Sequence, residues 1–211
     1  MRLFLASQDF GGHADRLREL VGNNRKALVV FNARDDQSDN GLAEQKELFE
    51  KGGFEFTPLD LRGYFGKPQE LREFINEFKP GQINLLGGNT FTLRRALYQS
   101  GLDEILKTDI YAGRYVYAGH SAGAIVAGSN LNRDYDSAEY VVPEGYRKVI
   151  IWDALGFIPE QIIPHYDSVN PRTRQLNQAN EKLFRELDLP YVVLNDSDVL
   201  VVDGAKKEIL R

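Results

Sequence analysis

The sequence predicts an α/β fold, a three-layer sandwich around a mainly parallel sheet, and three observations carry that expectation. Short β-rich apolar runs recur along most of the chain. Helical patterns with apolar residues at three- and four-residue spacing lie between them. The run Leu28-Val29-Val30-Phe31 is apolar at four successive positions, as suits a strand covered on both faces rather than one. Alternation of this kind reads as βαβ units closing one sheet, and residues 1–211 read as a single domain.

Taken in order, the expected strands are 2–6, 27–32, 54–57, 83–86, 115–118, 191–194 and 199–203. The expected helices are bounded by Gly, Pro, Asn or Asp. One runs over 41–51 with Leu42, Leu48 and Phe49, and one over 68–78 with Leu71, Phe74, Ile75 and Phe78. A third follows the Gly87-Gly88 turn over 89–97, and a fourth covers 173–187. Two polar stretches break the rhythm, 130–143 and 165–174. Long loops in compact domains tend to be functional.

Composition narrows the function classes. Hydrophobic residues make up 42% and charged residues 27%, which supports a packed core and argues against disorder. A formal net charge of -5 gives a nucleic acid or an anionic membrane no electrostatic support as partner. The absence of cysteine excludes disulfides, thiol nucleophiles and thiolate metal sites. The apolar stretch at Leu3-Phe4-Leu5 is too short for a membrane span and reads as a buried first strand, so the expected location is the cytoplasm.

The chemistry concentrates at Tyr115-Val116-Tyr117-Ala118-Gly119-His120-Ser121-Ala122-Gly123. A strand-forming run leads into Gly-x-Ser-x-Gly, and a small-residue helical run follows: a nucleophile elbow. The sharp turn demands small neighbours, lifts the Ser121 hydroxyl out of the sheet, and aims the Ala122 N–H at a developing oxyanion. A second strand ends in Gly87-Gly88, after which Asn89 or Thr90 caps a helix, leaving the Gly88 N–H as a second oxyanion donor.

The serine needs a base. Of three histidines, His120 adjoins the elbow and is expected to pack beside the site or to line the substrate pocket, and His13 is expected in solvent. His165 ends the apolar run Ile162-Ile163-Pro164 at a strand terminus and is the expected base. The acid behind it is sought among Asp134, Asp136 and Glu139, then Asp153 and Asp167, with Asp136 and Asp134 first.

Gly87-Gly88-Asn89-Thr90, Gly119-His120-Ser121-Ala122-Gly123-Ala124 and Pro164-His165-Tyr166, in that order, resemble the dipeptidase E / cyanophycinase family of serine peptidases. The resemblance implies a fold similar to class I glutamine amidotransferases, a triad with Ser121 and His165, an acid lying between them, and no metal or other cofactor. It implies short peptide substrates with preference for N-terminal aspartate, and a homodimer. Asn89 and His120 are expected at the substrate. Arg174 in the pair Thr173-Arg174 is expected to hold the substrate's carboxylate, with Arg172 as substitute. The loop before Arg174 is short for an aspartyl dipeptidase, so a member of different specificity stands beside that reading. A serine esterase and a catalytically weak binding protein on the same scaffold are the other two alternatives.

Overall fold

A computed structural model describes residues 1–37 and 40–211. Five parallel strands form the centre: β1 (Arg2–Ala6), β2 (Lys26–Val30), β3 (Glu55–Leu59), β4 (Gln82–Leu85) and β5 (Val116–His120). A separate short parallel pair joins β6 (Gln161–Ile163) to β7 (Tyr191–Val193). β8 (Val199–Asp203) and β9 (Lys206–Leu210) add to the main sheet antiparallel, giving the order β3-β2-β4-β5-β1-β8-β9.

The two-residue period of the strands divides their side chains between two cores. Leu3, Leu5, Leu28, Val30, Tyr117, Leu200 and Val202 face one side, while Phe4, Ala6, Ala27, Val29, Val116, Ala118, Val199 and Val201 face the other. On the first face pack α3 (Pro68–Phe78) through Leu71 and Ile75, and α4 (Thr90–Ser100) through Phe91, Leu93 and Leu97. Beside them lie α5 (Leu102–Tyr111) through Leu102, Leu106 and Ile110, and the single turn α6 (Ala122–Ile125). On the second pack α1 (Ala14–Val21) through Leu17 and Leu20, and α2 (Leu42–Lys51) through Phe49, whose ring meets those of Phe10, Phe54 and Phe56. Two helical layers around a mainly parallel sheet are the predicted architecture.

The differences from expectation are local. β6 is only three residues long, and β9 is a largely exposed edge strand rich in lysine, so neither carries a strong apolar signal. α1 and α5 complete the helical layers. α7 (Pro171–Glu186) starts two residues before the expected position. Pro171 is its first residue, and the Asn170 side chain caps it by accepting from the N–H groups of Arg172 and Thr173. Among the described residues, no helix is long and apolar enough to cross a membrane.

Candidate active site

Parallel strands place their C-terminal ends on one side of the sheet, where the reactive candidates gather. β5 ends at His120, and Ser121 follows with φ 50° and ψ −114°, a conformation that L-residues rarely adopt. The flanking glycines explain themselves. A Cβ on Gly119 would stand 2.6 Å from the Gly123 carbonyl oxygen, and one on Gly123 would overlap the Leu85 carbonyl of the neighbouring strand. The Ser121 N–H is shared between the carbonyls of Ala6 (3.2 Å) and Ser7 (3.1 Å), so the end of β1 anchors the bend.

The Gly87-Gly88 segment after β4 lies directly against this bend. Gly88 has φ 148°, and a Cβ there would overlap the Ala33 carbonyl, which itself accepts the Asn89 N–H at 2.7 Å. The Gly87 peptide is held at both ends. Its N–H donates to His120 Nε2 at 3.0 Å, and its carbonyl accepts from Arg34 Nε at 2.9 Å. Of its two expected places, His120 takes the one packed beside the site and is not in the cavity lining. It is 6% exposed, and its ring works as an acceptor under the glycine loop. Burial pushes this imidazole down to about 4; Arg34 and His165 push the same way, and Asp9 opposes them.

His165 follows β6 at φ 54°, also left-handed. Its N–H donates to Ser7 Oγ at 2.7 Å, and its carbonyl accepts from Asn177 Nδ2 on α7 at 3.1 Å. The acid at its ring is Asp196: His165 Nδ1 and Asp196 Oδ1 stand 2.6 Å apart. Asp196 lies in the turn between β7 and β8, where Asn195 N–H donates to the Asp198 carboxylate and Asp196 N–H to Asp167 Oδ1. Asp196 comes after the histidine in the chain, whereas the expected place for the acid is between serine and histidine.

The two acids expected first are engaged elsewhere. Asp136 caps the short 3₁₀ turn Ser137–Tyr140 and pairs with Arg172 Nη2 at 2.5 Å, while Asp134 is exposed, its backbone tied to the Asn180 side chain on either side. Both line the cavity described below but neither is the partner recorded for His165 Nδ1. The signal that could have found Asp196 is the one that found His165: a polar turn, Asn195-Asp196-Ser197-Asp198, directly after a strand.

A cavity of ≈ 470 Å³, within the range of small-molecule sites, is lined by Gly88, Ser121 and His165. Ala122, at the start of α6, is buried. Glu139, Arg133 and Arg172 line the same cavity. Arg133 is buried; its Nη1 donates to the Ile162 carbonyl at 2.6 Å, and its guanidinium stacks over Tyr135 and Phe184. Glu139 accepts the Thr90 N–H at 2.7 Å, at the first turn of α4. Burial outweighs that hydrogen bond and raises its carboxyl to about 7, with Asp36 and Asp136 adding repulsion.

Two further substrate expectations are corrected by these positions. Asn89 does not line the cavity; it caps α4 by accepting the Thr92 N–H at 2.9 Å, and its amide donates to Asp36 and to the Ala138 carbonyl. Arg174 is exposed on α7 and also lies outside the cavity lining. Among the described residues, no group of three or more His, Asp or Glu side chains is placed to hold a metal ion.

The sequence model of Peptidase family S51 matches residues 4–210. The chain belongs to this family. A peptidase E from Streptomyces coelicolor is 34% identical over 122 residues, a stretch covering 56% of the chain and 47% of that relative. A peptidase E from Haemophilus influenzae is 32% identical over 61% of the chain and 58% of its own length. The chain thus spans about half the length of these curated relatives. A protein named "Probable alpha-aspartyl dipeptidase" from Drosophila melanogaster is 27% identical over 99% of the chain and 85% of that protein. In fold, a Listeria monocytogenes crystal structure assigned to peptidase E superposes with a TM-score of 0.76 at 22% identity, covering 100% of the chain and 98% of the other. The S51 family frame therefore extends over the whole sheet and its helices.

Proposed function

We propose that this chain is a serine-type peptidase acting on short peptides, with Ser121 as nucleophile, His165 as general base and Asp196 as the acid that orients the imidazole. The observation that carries the reading is the 2.6 Å contact from His165 Nδ1 to Asp196, with His165 and the strained Ser121 lining one cavity. That contact sets the tautomer with Nδ1–H toward Asp196, leaving Nε2 to take the serine proton. Attack of Ser121 Oγ on the scissile carbonyl forms an oxyanion that the Gly88 and Ala122 N–H groups stabilise. The imidazolium then protonates the leaving amine, and water, deprotonated by the same ring, releases the acyl group and regenerates the serine.

The cavity supports a substrate class as well. Asp134, Asp136 and Glu139 line it; Arg172 pairs with Asp136, while Arg133 donates through Nη1 to the neutral Ile162 carbonyl and its Nε has no partner among the described residues. Asp134 and Glu139 offer acceptors to an ammonium group, such as a free peptide N-terminus brings, and Arg174 lies outside the lining. The test is a dipeptide library with free and acetylated N-termini, combined with Ser121→Ala, Asp196→Asn and Asp136→Asn. Ser121→Ala is expected to lose at least ~10⁴-fold in rate and Asp196→Asn about 10²–10⁴-fold, with Asp136→Asn much nearer wild type. Wild-type turnover by Ser121→Ala would end the proposal. A larger loss in Asp136→Asn than in Asp196→Asn would reassign the acid.

A further inference from the structure

We infer that Ser7, the residue immediately after β1, is a positioning residue for all three members of the proposed triad. The inference rests on the peptidase reading above. Ser7 is fully buried. Its carbonyl accepts the Ser121 N–H at 3.1 Å, and its hydroxyl oxygen accepts the His165 N–H at 2.7 Å. The same hydroxyl lies 3.5 Å from Asp196 Oδ1, the oxygen that stands 2.6 Å from His165 Nδ1.

The chemistry of a hydroxyl suits this place. One oxygen can accept through a lone pair and donate through its proton at once, which neither an alanine nor a carbonyl can do. Here the lone pair goes to the histidine's backbone, and the proton can turn toward the acid's carboxylate at 3.5 Å, a long contact for a hydroxyl donor. Buried serines usually satisfy themselves on their own turn. Ser7 reaches partners 158 and 189 positions away instead.

Strain gives the contacts a purpose. Ser121 and His165 are both held at positive φ, 50° and 54°, which costs of order 1 kcal/mol or more each unless the surroundings over-determine them. Ser7 supplies an acceptor to the backbone N–H of both strained residues. β1 lies between β5 and β8 in the sheet, so its end stands beside the elbow that follows β5 and the acid-bearing turn that precedes β8. A shift of one residue pair relative to the other by 1 Å is the kind of error that costs about 10²-fold in rate.

The experiment compares Ser7→Ala, Ser7→Thr and wild type. Two readouts are followed: the rate of Ser121 labelling by a fluorophosphonate, and the downfield Nδ1–H proton resonance of His165 by NMR. Near-UV circular dichroism checks folding. Ser7→Ala is expected to slow labelling about 10–100-fold, and to shift or broaden the His165 resonance. Ser7→Thr, which keeps the hydroxyl, is expected to restore both. Should Ser7→Ala not fold, Ser7→Cys fills nearly the same space with a weak acceptor and carries both readouts. A folded variant without the hydroxyl that labels at the wild-type rate and keeps the His165 resonance would overturn the inference. So would a rate loss with that resonance unchanged, which belongs to packing alone. If wild-type Ser121 itself resists the probe, the peptidase reading fails separately, and the resonance still decides whether Ser7 positions His165 on Asp196.

Discussion

Two buried titrating groups flank the glycine loop and the cavity, and their effects on stability oppose each other. His120 is held neutral in the fold, down at about 4 from an ordinary 6.5. Between those values the unfolded chain binds a proton that the folded one refuses, so stability rises with pH. The separation of about 2.5 pH units at 1.36 kcal/mol each amounts to about 3 kcal/mol, fully present above pH 6.5 and lost toward pH 4. Glu139 is raised from 4.5 to about 7, so between those values the folded state holds the extra proton and stability falls as pH rises. Its term is at most about 3 kcal/mol, and smaller in practice because the carboxyl borders the cavity. In the wild-type protein the two largely cancel from pH 4.5 to 6.5.

Single substitutions should therefore unmask them in opposite directions. Glu139→Gln keeps an acceptor for the Thr90 N–H and removes the Glu139 term, so relative to wild type this variant should gain up to about 2–3 kcal/mol from pH 4.5 to 6.5. His120→Gln can keep an acceptor for the Gly87 N–H and removes the His120 term, so relative to wild type it should lose about 2–3 kcal/mol over the same range. Urea unfolding followed by far-UV circular dichroism and by the single tryptophan, Trp152, gives these differences as shifts of about 1–2 M in midpoint. All other titrations are common to the three proteins and drop out of the comparison. If both variants reproduce the wild-type pH profile, neither group carries the protonation assigned to it here.

Two further outcomes follow from the geometry. Gly88→Ala forces a side chain into φ 148° and onto the Ala33 carbonyl, and should cost about 2–4 kcal/mol in thermal unfolding and abolish fluorophosphonate labelling. Arg94 and Asp103, each with a side chain 5% exposed and 2.8 Å apart, form a buried pair between α4 and α5; Asp103→Ala strands the guanidinium and should cost about 3–5 kcal/mol by urea unfolding.

What the sequence by itself determined is what short-range chemistry encodes. The unbroken apolar runs Leu3-Phe4-Leu5-Ala6 and Ala27-Leu28-Val29-Val30 specify strands with two buried faces, and hence helices on both sides. Gly119-x-Ser121-x-Gly123 specifies the elbow, because each glycine marks a place where a Cβ would strike backbone. His165 was legible as a polar residue at a strand end. Tertiary structure alone decided the partners. Asp196 meets His165 because β8 turns back antiparallel beside β1, a pairing across the sheet that no local pattern announces. His120 faces inward to hold Gly87, and Arg174, in the first turn of α7, faces solvent. Ser7 is an unremarkable serine in the chain. It gains its place only when the end of β1 arrives between the loops carrying Ser121 and Asp196, since hydrogen bonds join atoms by distance in space and take no account of distance along the backbone.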